Sequence, residues 1–143
     1  MLLGLDLGTG SAKALLLDGD GAVLGEGSAP YPVRSPRPGW AESGPEDWWS
    51  AVAAAAGKAV GGHGAAVMAL GLCDQMHGVI LSDEAGRPLR PAVLWADSRS
   101  GCELDAYRRL DPDLRRGLAN PPAVGMAGPS LLWLCRHEPE AYG

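Results

Sequence analysis

The chain has 143 residues, of which 46% are hydrophobic, and this length and composition fit one globular domain with a core of its own. The formal net charge is −5 and the 12 basic residues are scattered, which argues against a surface for nucleic acid or an anionic membrane. No apolar run approaches the roughly 20 residues of a membrane helix, and the amino terminus lacks the basic segment of a signal peptide. We therefore expect a cytoplasmic protein whose partners are small metabolites, with no nucleic acid and no membrane among them.

The three cysteines, Cys73, Cys102 and Cys135, are widely spaced and contain no CxxC pair. An odd number of cysteines at such spacings is typical of neither a disulfide framework nor a zinc site. We therefore predict reduced thiols, most of them buried.

Two apolar runs, 2–7 and 12–17, flank the short polar stretch Gly8-Thr9-Gly10-Ser11. This spacing predicts a β-hairpin. Glycines let backbone N–H groups approach an anion closely, the two hydroxyls add donors, and Lys13 adds a positive charge, so the turn is suited to phosphate. The alternative is an ordinary hairpin with a polar turn.

Asp6 lies inside the first of these apolar runs. An unpaired carboxylate among apolar side chains is costly unless a metal, a partner or water receives it. At the end of a strand and beside a phosphate-binding turn, a carboxylate is suited to a hydrated magnesium ion. We therefore predict Asp6 as a metal-binding residue.

The next segments predict a third strand, a loop and a helix. Residues 18–21 have turn composition and 22–28 read as a strand, so three consecutive antiparallel strands open the fold. The proline-rich segment 30–39 predicts an extended surface loop. Ser43 and Glu46 have the spacing of a capping box for the helix that follows.

This first helix is predicted to run to about Ala59 or Val60, where Gly61-Gly62 supplies a stop. One face carries, at helical spacing, Trp48, Val52, Ala55 and Ala59. Trp48 and its neighbour Trp49 are interpreted as packing residues laid against a sheet.

The second half of the chain continues an α/β pattern. The apolar run 67–73 predicts a strand, and a strand after a helix implies a mixed sheet with helices on its faces. A further strand is predicted at 92–95, and helical segments at 98–110, 111–118 and 129–137.

Three loops each follow the carboxyl end of a predicted strand, where open α/β sheets place ligands. They are Gly8–Ser11, Asp74–Gly78 and Trp95–Arg99. If these strands are neighbours, the loops bring together a phosphate-binding turn, an imidazole with an amide, and a carboxylate with a guanidinium, which suits a polyhydroxylated substrate. Each member has a plain alternative: a histidine bonded within a turn for His77, a core side chain for Met76, a helix cap for Asp97 and a solvated side chain for Arg99.

Four stretches, in order through the whole chain, carry a resemblance to a known family: LGLDLGTGSAK, the Trp-Trp helix, DQMHGVILSDEAGRPLRPAVLWADSR and GPSLLWLCRHEPE. Together they resemble the amino-terminal part of the FGGY carbohydrate kinases. Within that family, the Gln-Met-His-Gly string is similar to that of the xylulokinase group.

The resemblance implies an α/β fold, an actin-like or ribonuclease-H-like lobe whose three-stranded antiparallel start is extended into a mixed sheet with flanking helices. Residues 1–143 would form the amino-terminal part of the first, sugar-binding lobe, and the second, nucleotide-binding lobe would be absent. The parent chain is expected to be a homo-oligomer, a dimer.

The implied activity of the parent is ATP-dependent phosphorylation of D-xylulose to D-xylulose 5-phosphate, with ATP and Mg²⁺ as cofactors. Asp6 would face the magnesium–phosphate region. The residues that would face the ATP phosphates are Gly8, Thr9, Gly10, Ser11 and Lys13, and the family comparison leaves open whether Thr9 or Ser11 supplies the hydroxyl. The residues assigned to the sugar are Gln75, Met76, His77, Asp97 and Arg99.

The family's catalytic base, an aspartate that takes the proton from the sugar hydroxyl, would lie beyond this chain. Phosphoryl transfer depends on positioning and charge balance, so the isolated chain is predicted to be inactive. Two alternatives stay open: a kinase of another ketose or polyol, and a non-catalytic actin-like lobe that binds a sugar or a partner protein.

Overall fold

The computed structural model describes residues 1–142. The strands are β1 (Leu2–Leu7), β2 (Ser11–Leu17), β3 (Val23–Pro30), β4 (Glu42–Ser43), β5 (Ala69–Asp74) and β6 (Ala92–Val93). The α-helices are α1 (Pro45–Val60), α2 (Leu104–Arg108), α3 (Pro112–Gly117), α4 (Ala127–His137) and α5 (Pro139–Tyr142), and short 3-10 helices lie at Gly64–Ala66 and Arg99–Glu103. Among these helices, none has both the length and the apolar character that crossing a membrane requires.

The chain divides into two compact units. The first contains residues 1–33 and 44–75, and the second contains residues 34–43 and the chain from residue 76 onward. The turn Gly8–Ser11 and Gln75 therefore belong to the first unit, whereas Met76, His77, Asp97 and Arg99 belong to the second.

A four-stranded mixed sheet forms the body of the first unit, in the order β3-β2-β1-β5. β1 is antiparallel to β2 and parallel to β5, and β2 is antiparallel to β3. This arrangement confirms the predicted antiparallel opening and the mixed sheet. Because Leu7 pairs with Asp74 in the parallel register, the carboxyl ends of β1 and β5 lie side by side.

Helix α1 covers one face of this sheet through small residues. The buried residues of the helix are Trp48, Ala51, Ala55 and Ala59, so Ala51 takes the place predicted for Val52. Two glycines of β3 make the close approach possible, because a Cβ built on Gly25 or Gly27 would lie 2.2 or 1.9 Å from a carbonyl oxygen of the helix. The helix backbone therefore rests directly on β3.

Replacing Gly27 with alanine is expected to lower the free energy of unfolding by about 1–3 kcal/mol, because the added methyl group forces α1 away from the sheet. Chemical denaturation measures this change. Gly57→Ala is the matched control, since a Cβ at this helical position meets nothing within 4 Å, and there alanine is expected to stabilise the helix by about 0.5–1 kcal/mol. Equal effects of the two substitutions would contradict the close packing.

The start of α1 differs from the prediction, whereas its end does not. Ser43 lies in β4 and the N-cap is Gly44, so the capping box predicted from Ser43 and Glu46 is wrong. The helix ends at Val60 with Gly61 as its C-cap, as predicted. Trp48 is buried, but Trp49 is 74% exposed and its predicted packing role is wrong, because adjacent helical residues point to different faces.

The second unit is built around a small sheet and helix α4. β4 pairs antiparallel with β6, and Val79 bridges to Val93. The buried centre comprises Val79, Val93 and Leu134. The strand predicted at 92–95 is shorter in the structure. The helix predicted at 98–110 is observed as a 3-10 segment, which contains a kink at Ser100, followed by α2.

All three cysteines are free, but all three are exposed, so the predicted burial of the thiols is wrong. Cys73 shows the reason most clearly. It lies in β5, the edge strand of the four-stranded sheet, and all six residues of β5 are exposed.

Candidate functional site

The turn Gly8–Ser11 joins β1 to β2 and closes tightly on itself. The Gly8 N–H donates to the Ser11 carbonyl oxygen at 3.1 Å. A Cβ built on Gly8 would lie 3.4 Å from that oxygen and 3.8 Å from a carboxylate oxygen of Asp6. The Asp6 carboxylate therefore lies beside the turn, as its proposed role requires.

Lys13 is the cross-strand partner of Asp6. Its neighbours Ala12 and Ala14 are buried. Because side chains alternate along a strand, the Lys13 side chain lies on the face of the sheet opposite to these two alanines. Asp6 and Lys13 both line a groove of about 880 Å³, together with Glu26 and Ser28. The first unit thus places a carboxylate and an ammonium group on neighbouring strands close to the turn.

Gln75 follows β5 at the same end of the sheet as the turn. Its backbone N–H donates to the Leu7 carbonyl oxygen at 3.0 Å. Within residues 1–142, both polar atoms of its side-chain amide are buried and have no hydrogen-bond partner. Buried polar groups are almost always hydrogen-bonded, so this amide is suited to a ligand that supplies both a donor and an acceptor, as a hydroxyl group does.

Met76 and His77 follow Gln75 in the chain and lie in the second unit. The Met76 side chain is 75% exposed. His77 is exposed and has a φ of 63°, a left-handed conformation that is uncommon for residues other than glycine and that recurs at ligand sites. Beyond them, Val79 exchanges two backbone hydrogen bonds with Val93, of 2.9 and 3.0 Å, and these anchor the end of the loop.

Asp97 and Arg99 are buried and bind each other. The Asp97 carboxylate accepts from Arg99 Nε at 2.9 Å and from an Arg99 terminal nitrogen at 2.7 Å. It also accepts the backbone N–H groups of Ala41, at 2.7 Å, and of Arg99, at 2.9 Å. The Asp97 side chain is 1% exposed and the Arg99 side chain 2% exposed.

This pair is part of a larger charged cluster, formed by Glu42, Arg90, Asp97, Arg99 and Glu138. Arg99 and Arg90 share one oxygen of Glu42, at 2.7 and 2.6 Å, and Arg90 also pairs with Glu138. The Arg99 guanidinium lies 3.6 Å from the centre of the Trp40 ring. Burial lowers the pKa of Arg99, but its hydrogen bonds to the Asp97 and Glu42 carboxylates and their charges outweigh burial and raise the pKa overall.

The comparison with known proteins identifies the family. Residues 1–143 match the model described as "FGGY family of carbohydrate kinases, N-terminal domain". The chain belongs to the FGGY family of carbohydrate kinases.

Individual FGGY relatives are similar along nearly the whole chain. The chain is 40% identical to the xylulose kinase of Escherichia coli strain K12, and the match covers 99% of this chain and 30% of that protein. It is 33% identical to a glycerol kinase of Rhizobium rhizogenes, over 93% of this chain and 28% of that protein. A solved "xyloylose kinase" of Brucella ovis superposes with a TM-score of 0.90 and 37% identity, over 98% of this chain and 29% of that one. The chain thus spans about 30% of the length of the relatives it matches.

The structural similarity confirms the predicted fold class. The chain has the actin-like fold of the FGGY kinases, with a mixed four-stranded sheet and flanking helices. Within that fold, the first unit brings together Asp6, the Gly8–Ser11 turn, Lys13 and Gln75. The second unit brings Asp97 and Arg99 together in a buried ion pair.

The donor set of this FGGY chain also bears on the metal. Within residues 1–142, no group of three or more His, Cys, Asp or Glu side chains is placed to hold an ion. Mg²⁺ is commonly held by one or two carboxylates together with water and substrate phosphates. Asp6, beside a turn with two hydroxyl-bearing residues, fits a magnesium ion that binds together with a nucleotide.

Tyr31 is a residue near the turn that sequence reasoning missed. It lies in the segment predicted as a surface loop, yet it is only 7% exposed. Its backbone N–H donates to the Gly10 carbonyl oxygen at 3.2 Å, and its phenol donates to the Gly8 carbonyl oxygen. The sequence signal that could have indicated its burial was an aromatic residue between two prolines, directly after a strand.

Proposed function

We propose that this chain is the amino-terminal part of the sugar-binding lobe of an ATP-dependent kinase that phosphorylates D-xylulose to D-xylulose 5-phosphate. The observation that carries the proposal is the side-by-side placement of two features at the carboxyl ends of β1 and β5. One is the glycine-rich turn Gly8–Ser11, and the other is Gln75 with its unpaired amide. The similarity to xylulose kinases supports the choice of sugar.

In this proposal the first unit supplies the phosphate side of the site. The groups that face the ATP phosphates are the backbone and hydroxyls of Gly8, Thr9, Gly10 and Ser11, and the ammonium group of Lys13. Asp6 would hold a magnesium ion, and such an ion neutralises phosphate charge when it is bound. The protein's own contribution here is positioning, since phosphoryl transfer requires little covalent chemistry from side chains.

The residues assigned to the sugar in this proposal are Gln75 of the first unit and the two residues that follow it in the chain, Met76 and His77. The Gln75 amide offers a donor and an acceptor, His77 offers an imidazole on a strained backbone, and Met76 offers an exposed apolar surface. We assign Asp97 and Arg99 a different role from the predicted sugar contact. Their side chains are engaged with each other and with Glu42, so they hold the loop that follows β6.

The proposal assigns no catalytic base to residues 1–143, and the isolated chain is expected to be inactive. The isolated chain is also expected to associate, because β5 exposes Leu70 and Leu72 to 52% and 75%. A monodisperse monomer of residues 1–143 in light scattering would argue against this part of the proposal. Dimer formation by the parent chain and its cytoplasmic location belong to the same proposal.

A coupled assay of ADP release tests the activity. The full natural chain that carries these residues is supplied with Mg²⁺ and ATP and with a panel of D-xylulose, D-ribulose, aldopentoses, glycerol and gluconate. We expect the highest kcat/KM with D-xylulose. Residues 1–143 alone serve as the control and are expected to release no ADP above background.

A kinase of another polyol is the second candidate, and the 33% identity to a glycerol kinase favours considering it. The same panel separates the two, because a preference for glycerol or another polyol would contradict the assignment of D-xylulose. Absence of ADP release with every sugar would instead favour a non-catalytic lobe.

A further inference from the structure

Helix α1 carries a second apolar row besides the one that packs on the sheet. Its members follow one another at the spacing of a packing face: Trp49, Ala53, Ala56 and Val60. Trp49 is 74% exposed, Ala53 is exposed, and Ala56 and Val60 are half-buried. A helix that packs on one neighbour only presents polar side chains on its other side. The row therefore indicates a second packing partner for α1.

The charged residues of α1 are confined to its two ends. Glu46 and Asp47 lie in the first turn and Lys58 lies in the last turn. The sequence between them, residues 48–57, contains no charged side chain. An uncharged, aromatic centre with charges at its rim is the composition of a protein–protein interface, and an acidic first turn is not suited to nucleic acid or an anionic membrane.

We propose that this row is the surface through which two copies of the parent chain pair, with their α1 helices antiparallel and crossing at Ala53. The inference rests on the proposed function only in naming the surface of the dimer that belongs to it. A two-fold contact between identical chains requires a surface that is complementary to itself. The row meets this requirement about Ala53 in both size and charge.

The complementarity in size comes from the positions of Trp49 and Ala56 on either side of Ala53. In an antiparallel pair centred on Ala53, a residue that precedes the centre in one helix lies opposite a residue that follows it in the other. Each Trp49 ring therefore lies over Ala56 of the second copy. Small side chains at the crossing let helix axes approach to about 8 Å, and a buried tryptophan is a typical anchor of such a contact.

The charges favour the antiparallel direction over the parallel one. Antiparallel pairing places the acidic first turn of each helix, with Glu46 and Asp47, alongside the last turn of the other, with Lys58. The opposed helix dipoles add to this attraction. Lys58 also donates to the Ser28 carbonyl oxygen at 2.8 Å, and its ammonium group has further N–H donors for a carboxylate. Parallel pairing would instead bring the two acidic turns together.

Ala53→Glu in the full natural chain tests the surface by sedimentation velocity over a range of protein concentrations. The substitution sets two carboxylates against each other at the centre of the pair, so we expect the Kd of the dimer to rise about 100-fold. Glutamate is a good helix former, and α1 should be retained. The matched control is Ala85→Glu, the same change at an exposed alanine of the second unit, and it should leave the Kd within about twofold.

Cross-linking keeps the inference testable if Ala53→Glu does not fold. Ala53→Cys in the full natural chain places two thiols at the crossing point, and oxidation by diamide should join two copies through a disulfide. Non-reducing gel electrophoresis measures the product. The controls are Ala85→Cys and the wild type, whose exposed thiols report any unspecific cross-linking: Cys73, Cys102 and Cys135. We expect the cross-linked dimer from Ala53→Cys to exceed that of both controls.

Three results would overturn the pairing through α1. They are a wild type that stays monomeric, an unchanged dimer Kd in Ala53→Glu, and a yield of cross-linked dimer from Ala53→Cys no higher than in the controls. ADP release by the wild type with D-xylulose is measured on the same preparation. Its absence would overturn the proposed function and leave the pairing untouched, so the two failures are distinguishable.

Discussion

Replacing Arg99 with leucine is expected to lower the free energy of unfolding by about 3–5 kcal/mol, because it removes one partner from a buried ion pair. The substitution takes away the guanidinium that binds both oxygens of Asp97 and shares Glu42 with Arg90. Leucine fills part of the same volume, so the loss of stability comes mainly from the Asp97 and Glu42 carboxylates left without their partner and less from a cavity. Urea denaturation, monitored by tryptophan fluorescence, measures it.

Arg108→Leu is the matched control for this prediction. Arg108 also pairs with an aspartate, but its side chain is 71% exposed and that of Asp105 is 56% exposed. Exposed pairs contribute about 0–1 kcal/mol, so this substitution should leave stability nearly unchanged. Similar effects of the two leucine substitutions would show that the cluster around Arg99 does not stabilise the second unit.

Arg99→Lys separates charge from geometry at the same position. Lysine keeps the positive charge but cannot form the two-pronged contact with Asp97 or stack its planar group on Trp40. An intermediate loss of stability is therefore expected. Because Arg99 is assigned to hold the loop and not to contact the sugar, the KM for sugar should stay close to that of the wild type even though the free energy of unfolding falls.

The local features of the first unit were predictable from the sequence. The strand at the apolar run 12–17 and the Gly61 stop signal depend on neighbours within a few positions, and the structure bears out both. The hairpin around Gly8–Ser11 belongs to the same class, since its turn composition fixes the pairing of the two strands that flank it.

The features that failed depend on partners far away in the chain. Helical spacing puts only Trp48 on the apolar face of α1 that meets the sheet, so the packing role predicted for Trp49 required a second covered face of the helix, which the fold does not supply. Ser43 has the composition of a helix cap but pairs with Ala92, 49 residues later, and this pairing places it in a strand. Sequence periodicity contains no information about such contacts.

The candidate site divides in the same way. The turn and Asp6 were recognisable from residue type and spacing, since glycines, hydroxyls and an acid near a strand end have a specific chemistry. The hydrogen bonds of Asp97 were only partly predictable. The helix-cap interpretation accounts for one of the four, from the backbone N–H of Arg99, but not for those from Ala41 and from the Arg99 side chain. The contact of Tyr31 with Gly8 spans 23 residues and required the folded sheet.

Replacing His77 with asparagine in the full natural chain is expected to lower kcat/KM for D-xylulose by about 10- to 100-fold, which corresponds to one lost hydrogen bond to a substrate hydroxyl. Asparagine is chosen because His77 has a φ of 63°, and asparagine tolerates this left-handed conformation better than alanine does. The substitution therefore removes the imidazole without adding backbone strain. Steady-state kinetics with each substrate varied in turn measures the effect.

The split between substrates decides whether His77 contacts the sugar. Loss of a sugar contact leaves the phosphate side intact, so the KM for ATP should stay within about twofold of the wild type while kcat/KM for D-xylulose falls. The control is His63→Asn, at an exposed histidine that follows α1 in the first unit, and it should change neither value. If His77→Asn leaves kcat/KM for D-xylulose unchanged, the strained backbone at this position serves the loop and not the sugar.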